Sequence, residues 1–141
     1  MNSKKIFFSI ITPVLNEPQI KKTFISLKKQ NFKNFEHIVI DGGSEKKTLS
    51  IIRKNKKYIS KLIIDKDDGI YDAINKGIKI SKGEVIGILN ADDYYYENTL
   101  LKVGEFLSKN PQIDLLYGDA AQVDINGRFL KWHGAIPFDK N

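Results

Sequence analysis

Glu84-Val85-Ile86-Gly87-Ile88-Leu89-Asn90-Ala91-Asp92-Asp93 changes character at Asn90. Its first six residues are nearly all apolar, as expected of a central strand covered on both faces of a parallel sheet. Its last four are polar, and Asp92 and Asp93 are adjacent carboxylates that repel each other. A hard divalent cation relieves that repulsion. Mg2+ typically takes one or two carboxylates plus substrate phosphates rather than a full protein cage.

Outward from this strand, helices and strands alternate. Upstream, Ile70, Ile74 and Ile78 mark a helix that Lys82-Gly83 closes as a C-cap. Lys61 to Ile64 form a short strand, residues 46–55 a helix on Leu49, Ile51 and Ile52, and Phe35 to Ile40 a strand. Ile20, Phe24 and Leu27 give residues 19–29 an apolar helix face. Residues 6–12 are a first strand stopped by Pro13. Downstream, Leu100, Val103 and Leu107 mark a helix ended by Asn110-Pro111, and Ile113 to Tyr117 a fifth strand. Ala121–Ile125 and Arg128–Trp132 flank Asn126-Gly127 as a hairpin with a type I′ turn. The order implies an α/β fold: a mostly parallel sheet flanked by helices, with a C-terminal β-hairpin.

Composition narrows the function. The chain has 141 residues, enough for one domain with a proper core. The absence of cysteine excludes a disulfide scaffold, a Cys-ligated zinc site and thiol catalysis. The formal net charge is +6, but 21 of the 23 basic residues are lysine. Nucleic-acid readers lean on Arg for bidentate contacts, so no nucleic-acid partner is expected. A basic RNA-binding domain is the weaker alternative. The 21 Ile and 11 Asn fit AT-rich coding DNA as an alternative source of the lysine. Met1 to Thr12 mimics a signal peptide, but Ser9, Thr12 and Pro13 break its apolar run.

In an open parallel sheet, ligands bind beyond the carboxyl ends of the strands. Four strands deliver polar residues there: Pro13, Asn16 and Glu17; Asp41-Gly42-Gly43-Ser44; Asp65-Lys66-Asp67-Asp68-Gly69; and Asn90-Ala91-Asp92-Asp93. Each alone is also a common turn former or helix cap. Together they read as a site for a metal-bound phosphate ester, and the glycines at 42, 43 and 69 permit close backbone approach. No Gly-x-Gly-x-x-Gly follows the first strand, so the dinucleotide fingerprint is absent.

This ordered set resembles the family 2 glycosyltransferases of GT-A type, from about Ser9 to Arg128. Ser9 to Glu17 is similar to the family's opening strand and nucleotide loop, and Asp41-Gly42-Gly43-Ser44 to its second-strand motif, whose Asp meets the base. Asp68 to Gly77, with Asn75, resembles the segment lining the donor. Asn90-Ala91-Asp92-Asp93 sits where the family carries its Asp-x-Asp-type metal motif. The resemblance implies an enzyme using a nucleotide-diphosphate sugar and Mg2+ or Mn2+ for inverting transfer to a polysaccharide or cell-envelope acceptor, a saccharide or lipid-linked molecule. It assigns Pro13, Asn16, Glu17, Asp41, Gly42, Asp68, Asn75, Ala91 and Asp92 to the nucleotide sugar, and Asp93 with Asp92 to the metal.

Residues 1–141 then read as a single nucleotide-sugar-binding domain lacking most of the acceptor half, and a non-catalytic fragment is the alternative. Of the carboxylates after the metal motif (Glu97, Glu105, Asp114, Asp119, Asp124 and Asp139), only Asp119 is expected near the donor, where the resemblance implies a donor- or metal-side role; the base is expected to be absent, with Asp119 as its weak candidate. Tyr94-Tyr95-Tyr96 either stacks on sugar or packs on the sheet, Trp132 and His133 either face a ligand or pack in the hairpin, and His37 reads as a half-exposed strand residue. The expected location is cytoplasmic, or peripheral at the inner face of the membrane, where lysine-rich helices favour anionic lipid.

Overall fold

The computed structural model describes residues 5–136, so Met1–Lys4 of the signal-like stretch and Asp139 lie outside the described residues. The elements are β1 (Phe8–Val14), α1 (Ile20–Lys29), β2 (Phe35–Asp41), α2 (Lys46–Lys54), a 3-10 turn (Lys56–Tyr58), β3 (Lys61–Ile64), α3 (Ile70–Ile80), β4 (Val85–Ile88), α4 (Thr99–Lys109), β5 (Ala120–Val123) and β6 (Phe129–His133). The chain divides into two compact units, Met1–Glu105 and Phe106–Asn141.

The first unit holds a four-stranded sheet in the order β3-β2-β1-β4, every pair parallel. The central strands β1 and β2 are buried almost throughout, as residues covered on both faces must be. On one face Ile20 and Phe24 of α1 and Ile52 of α2 pack with Val14, Val39 and Ala91. On the other, Ala73 of α3 packs with Ile11, Ile38 and Ile40. Period-two alternation along β2 thus sends Ile38 and Ile40 to one layer and Val39 to the other.

Several expectations are corrected here. β4 is an edge strand, and Ile86 and Ile88 are 42% and 50% exposed, so it is not covered on both faces. Pro13 lies inside β1, opposite Ile40, rather than ending it. It is tolerated because the β1–β4 ladder has already ended at Ile11–Ile88 and no partner there needs its missing N–H. The buried face of α3 is Ala73 and Gly77, not the isoleucine stripe; Ile70 and Ile78 are exposed. Small residues are required because a Cβ on Gly77 would meet Ile11 Cγ2 at 2.5 Å. α3 ends at Ile80 with an extended Ser81. Gly83 is therefore no helix cap, and its lack of a side chain admits the Ser9 backbone, 2.5 Å from where a Cβ would stand.

His37 is fully buried, not half-exposed: its Nε2 lies 2.9 Å from Thr12 Oγ1, and its ring meets Phe24 edge-on. Glu36 is buried at the amino end of β2, where Ser9 Oγ and the Lys82 N–H donate to it and Lys61 pairs with it. Burial alone would raise its pKa, but those three partners bring it below the usual value.

The second unit contains the β5–β6 hairpin. No strand forms over Ile113–Tyr117; among the described residues that segment pairs with no strand, and Leu115, Leu116 and Tyr117 are exposed. The hairpin turn is not type I′, which needs positive φ at both central residues. Here Gly127 alone has positive φ, and its N–H closes a turn onto the Asp124 carbonyl. The Asp124 carboxylate accepts the N–H groups of Asn126 and Arg128, which selects this wider loop.

Candidate functional site

The chain lays down β1, β2 and β3 outward and then returns to the other side of β1 with β4. At such a reversal two loops diverge and open a crevice beyond the strand ends. The loops at that edge are 15–19, 42–45, 65–69 and 89–98.

Asp41 ends β2 and is fully buried. Its Oδ1 accepts the N–H groups of Gly43 and Ser44, at 3.0 and 2.8 Å. Its Oδ2 is buried with no hydrogen-bond partner. A buried acceptor left unpaired costs about 1–3 kcal/mol, more when charged, so this oxygen is suited to a donor from a ligand.

Ser44 carries the contact onward. Its Oγ accepts the Asn16 N–H at 2.8 Å, and Asn16 Oδ1 accepts the Glu45 N–H at 2.7 Å. Asn16 sits at φ 53°, a left-handed value that Asn tolerates. Glu17 Oε1 accepts the Gln19 N–H at 2.7 Å, just ahead of α1. The predicted Asn16, Glu17 and Asp41 are thus brought into one linked pair of loops, with Pro13 buried in the strand beneath.

Gly42 faces a residue that sequence reasoning missed. The Asp67 carboxylate occupies the space of the absent side chain, and its Oδ1 accepts the Gly69 N–H at 3.1 Å. The predicted Asp68 is exposed and supplies only its N–H, to Asp72 Oδ2. Asp-x-Gly ahead of a helix is an Asx-turn signal. It marks Asp67, but a run with three aspartates concealed it. The predicted Asn75 is exposed on α3, while Ala91 is buried.

The loop after β4 is tied to α1. Thr23 Oγ1 lies 2.7, 2.9 and 3.4 Å from the carbonyl oxygens of Asp93, Ala91 and Asn90. Asp92 and Asp93 project from this anchored loop and are exposed. Desolvation of the Asp93 carboxyl and the neighbouring Asp92 charge raise its pKa, and the Asn90 amide, 3.3 Å from Oδ2, partly offsets this. No group of three or more acidic or His side chains able to hold a metal occurs among the described residues. Two adjacent carboxylates, one of them with its pKa raised, nonetheless fit a divalent ion completed by ligand phosphates.

Of the three tyrosines, only Tyr95 packs on the sheet: a Cβ on Gly87 would lie 3.3 Å from its hydroxyl. Burial, with Asp93's charge, pushes that hydroxyl up to about 12. Tyr96 is 60% exposed. In the second unit Asp119 Oδ1 accepts the Ala135 N–H, His133 bonds Gln122 across the ladder, and Trp132 lies exposed against Phe129. A cleft of about 430 Å³ lined by Lys28, Lys33, His37 and Tyr58 opens at the amino end of the strands, away from the acidic edge.

The profile of glycosyl transferase family 2 matches residues 9–138. A PGL/p-HBAD biosynthesis glycosyltransferase of Mycobacterium tuberculosis is 36% identical over 138 residues, covering 94% of this chain and 53% of the relative. An uncharacterized glycosyltransferase of Methanocaldococcus jannaschii is 31% identical, covering 90% and 46%. The chain thus spans about half the length of these relatives. Among solved structures, S. aureus TarS 1-349 in complex with UDP superposes with a TM-score of 0.65 at 28% identity, over 74% of this chain and 33% of that one. Mannosyltransferase PcManGT from Pyrobaculum calidifontis, in complex with GDP-Man and Mn2+, gives 0.66 at 22% identity, over 86% and 36%, a likeness of fold.

Proposed function

The chain belongs to glycosyltransferase family 2, and from that premise we propose that it binds a nucleotide-diphosphate sugar at the carboxyl edge of its GT-A-type sheet. The observation that carries this reading is Asp41 Oδ2, buried and unpaired at the end of β2 beside the crevice. A base N–H satisfies it. Asp67, over Gly42, flanks the same nucleotide, and Pro13, Asn16 and Glu17 line it. Asp92 holds ribose or metal and Asp93 the metal, Mg2+ or Mn2+. The complexes named for TarS with UDP and PcManGT with GDP-Man and Mn2+ support this reading.

The reaction we propose is inverting transfer to a saccharide or lipid-linked acceptor of a polysaccharide or the cell envelope, in the cytoplasm or at the inner membrane face. No helix among the described residues is long and apolar enough to cross a membrane. Once bound, the divalent ion neutralises the departing diphosphate. Transfer also needs a carboxylate base within about 3 Å of the acceptor hydroxyl. Asp119 is the candidate, yet its carboxylate is engaged by the Ala135 N–H. The 141-residue chain is therefore expected to bind the donor and, at most, hydrolyse it slowly. A non-catalytic donor-binding fragment is the second reading, favoured by the engagement of Asp119 Oδ1 with the Ala135 N–H.

A nucleotide panel by thermal shift, with and without Mn2+, tests the first reading. A ligand at about 100 times its dissociation constant adds roughly 2.7 kcal/mol. No stabilisation by any nucleotide or nucleotide sugar would overturn it. Acceptor glycosylation by the purified chain would overturn the fragment reading.

A further inference from the structure

Helix α1 carries two buried polar side chains, Thr23 and Ser26, on one side, and its C-cap residue Gln30 adds a third. All three bond the segment that follows β4. Thr23 Oγ1 meets the carbonyls of Asn90, Ala91 and Asp93. Ser26 Oγ accepts the Tyr95 N–H at 3.3 Å. Gln30 spans the far end: its Nε2 donates to the Tyr96 carbonyl at 2.8 Å and its Oε1 accepts the Leu100 N–H at 3.0 Å.

We propose that this buried polar seam, with Thr23 at its head, is the device that fixes the Asp92–Asp93 loop in its metal-binding shape. The proposal rests on the metal reading above. A loop without regular structure has no ladder of its own to hold it. Here its carbonyls at 90, 91 and 93 turn inward onto a single hydroxyl. Because a trans peptide sets C=O and the next N–H antiparallel, the N–H groups of Ala91, Asp92 and Tyr94 turn away from α1. Thr23 therefore sets the backbone from which both carboxylates project. The hydroxyl has one hydrogen to offer the Asp93 and Ala91 carbonyls, at 2.7 and 2.9 Å, while the Asn90 carbonyl also accepts the Asp93 N–H at 3.1 Å. An apolar residue at that point would fill the same space but remove that hydrogen. Thr23, Ser26 and Gln30 are positioning residues: they touch neither metal nor nucleotide.

The test compares Thr23→Val, which keeps the shape and removes the hydroxyl, with Thr23→Ser, which restores it. Mn2+ binding is read by electron paramagnetic resonance, and UDP and GDP binding by calorimetry with and without Mn2+. Loss of groups that orient metal ligands typically weakens metal affinity by roughly 10–100-fold. Thr23→Val is expected to lose Mn2+ affinity on that scale while metal-free nucleotide affinity stays within about twofold, and Thr23→Ser to recover most of the loss. Amide hydrogen exchange without metal gives an independent readout: Thr23→Val should speed exchange across residues 91–96 and leave α3 unchanged. Should Thr23→Val fail to fold, Ser26→Ala, which removes the acceptor for the Tyr95 N–H without burying a charge, takes its place in the same assays. Wild-type Mn2+ affinity and unchanged exchange in a folded variant would overturn the proposal. If wild-type protein shows no Mn2+ binding, the metal reading falls, and unchanged exchange in the variant then overturns the seam as well.

Discussion

The carboxylate of Asp67 fills the space that a side chain on Gly42 would take, with Oδ2 2.5 Å from the position of that Cβ. Gly42 does not have positive φ, so the backbone there accepts alanine. What alanine displaces is the far end of a flexible side chain. Gly42→Ala is thus expected to leave the melting temperature within a few degrees, to push Asp67 aside, and to weaken nucleotide binding. A wild-type dissociation constant for nucleotide in Gly42→Ala would remove Asp67 from the site.

Asp41 separates folding from binding more sharply. Its Oδ1 holds two loop N–H groups, whereas Oδ2 holds nothing in the protein. Asn keeps one carbonyl oxygen for the loop and removes a buried charge. It also puts an NH2 where a ligand donor would arrive. Asp41→Asn should be as stable as wild type or more so, while losing affinity by about tenfold or more, the scale of one hydrogen bond to a charged group. Asp41→Ala, by contrast, releases both N–H groups and should cost about 1–2 kcal/mol of stability. Denaturant melts and calorimetry on the pair check this. An Asp41→Asn protein that binds nucleotide normally would overturn the role.

The alternation of strands and helices, and the four acidic loops, were legible because they depend on local patterns: apolar runs, period-3.6 stripes and Asp/Asn/Gly clusters. What was missed depends on neighbours. β4 reads as central because Ile86 and Ile88 are apolar, and only the strand order puts it at an edge. The α3 isoleucines outweigh Ala73 and Gly77 in any hydrophobic pattern, yet close approach of the helix to Ile11 selects the small residues. Asp67 and Asp68 look alike within a run of three aspartates, and only the Asp-x-Gly spacing, realised as the turn onto Gly69, distinguishes them. Thr23 gave no sequence signal: a threonine inside an amphipathic helix is ordinary until three carbonyls are found around it.

His37 makes the fold acid-sensitive. Burial pushes its imidazole from 6.5 down to about 4, a bond to the Tyr58 backbone opposing this in part. The unfolded chain therefore takes up a proton between those values that the folded chain refuses, and stability falls as pH drops through that window. Between pH 7 and pH 5 the loss should be about 2 kcal/mol. Glu36, whose pKa is lowered, loses its stabilisation only below the ordinary carboxylate value, whereas Asp93, whose pKa is raised, acts in the opposite sense, so the difference between wild type and His37→Gln isolates the histidine. Urea melts of wild type and His37→Gln at both pH values test this. An equal pH slope in the two proteins would show that another group carries it.

Asp93 titrates in the opposite sense. Its pKa is raised, by desolvation first and by Asp92 second. An acid with a raised folded pKa destabilises the fold when ionised, so its ionisation is relieved as pH falls toward the ordinary value. Metal binding needs the ionised form and runs the other way. Mn2+ affinity should weaken on acidification at a pH above that of an ordinary aspartate, because the proton competes for the same oxygens. Asp92→Asn removes the repelling charge and should move this titration down, while also weakening Mn2+ through a lost ligand. Asp93→Asn should abolish Mn2+-dependent nucleotide binding and, in metal-free buffer, leave the protein at least as stable as wild type. Calorimetric Mn2+ titrations of the three proteins in steps from about pH 4.5 to about pH 7.5, with melts in EDTA, provide the check. Mn2+-dependent nucleotide binding that survives in both variants would place the metal elsewhere. A wild-type affinity flat across that range would show that Asp93 does not compete with protons for the ion.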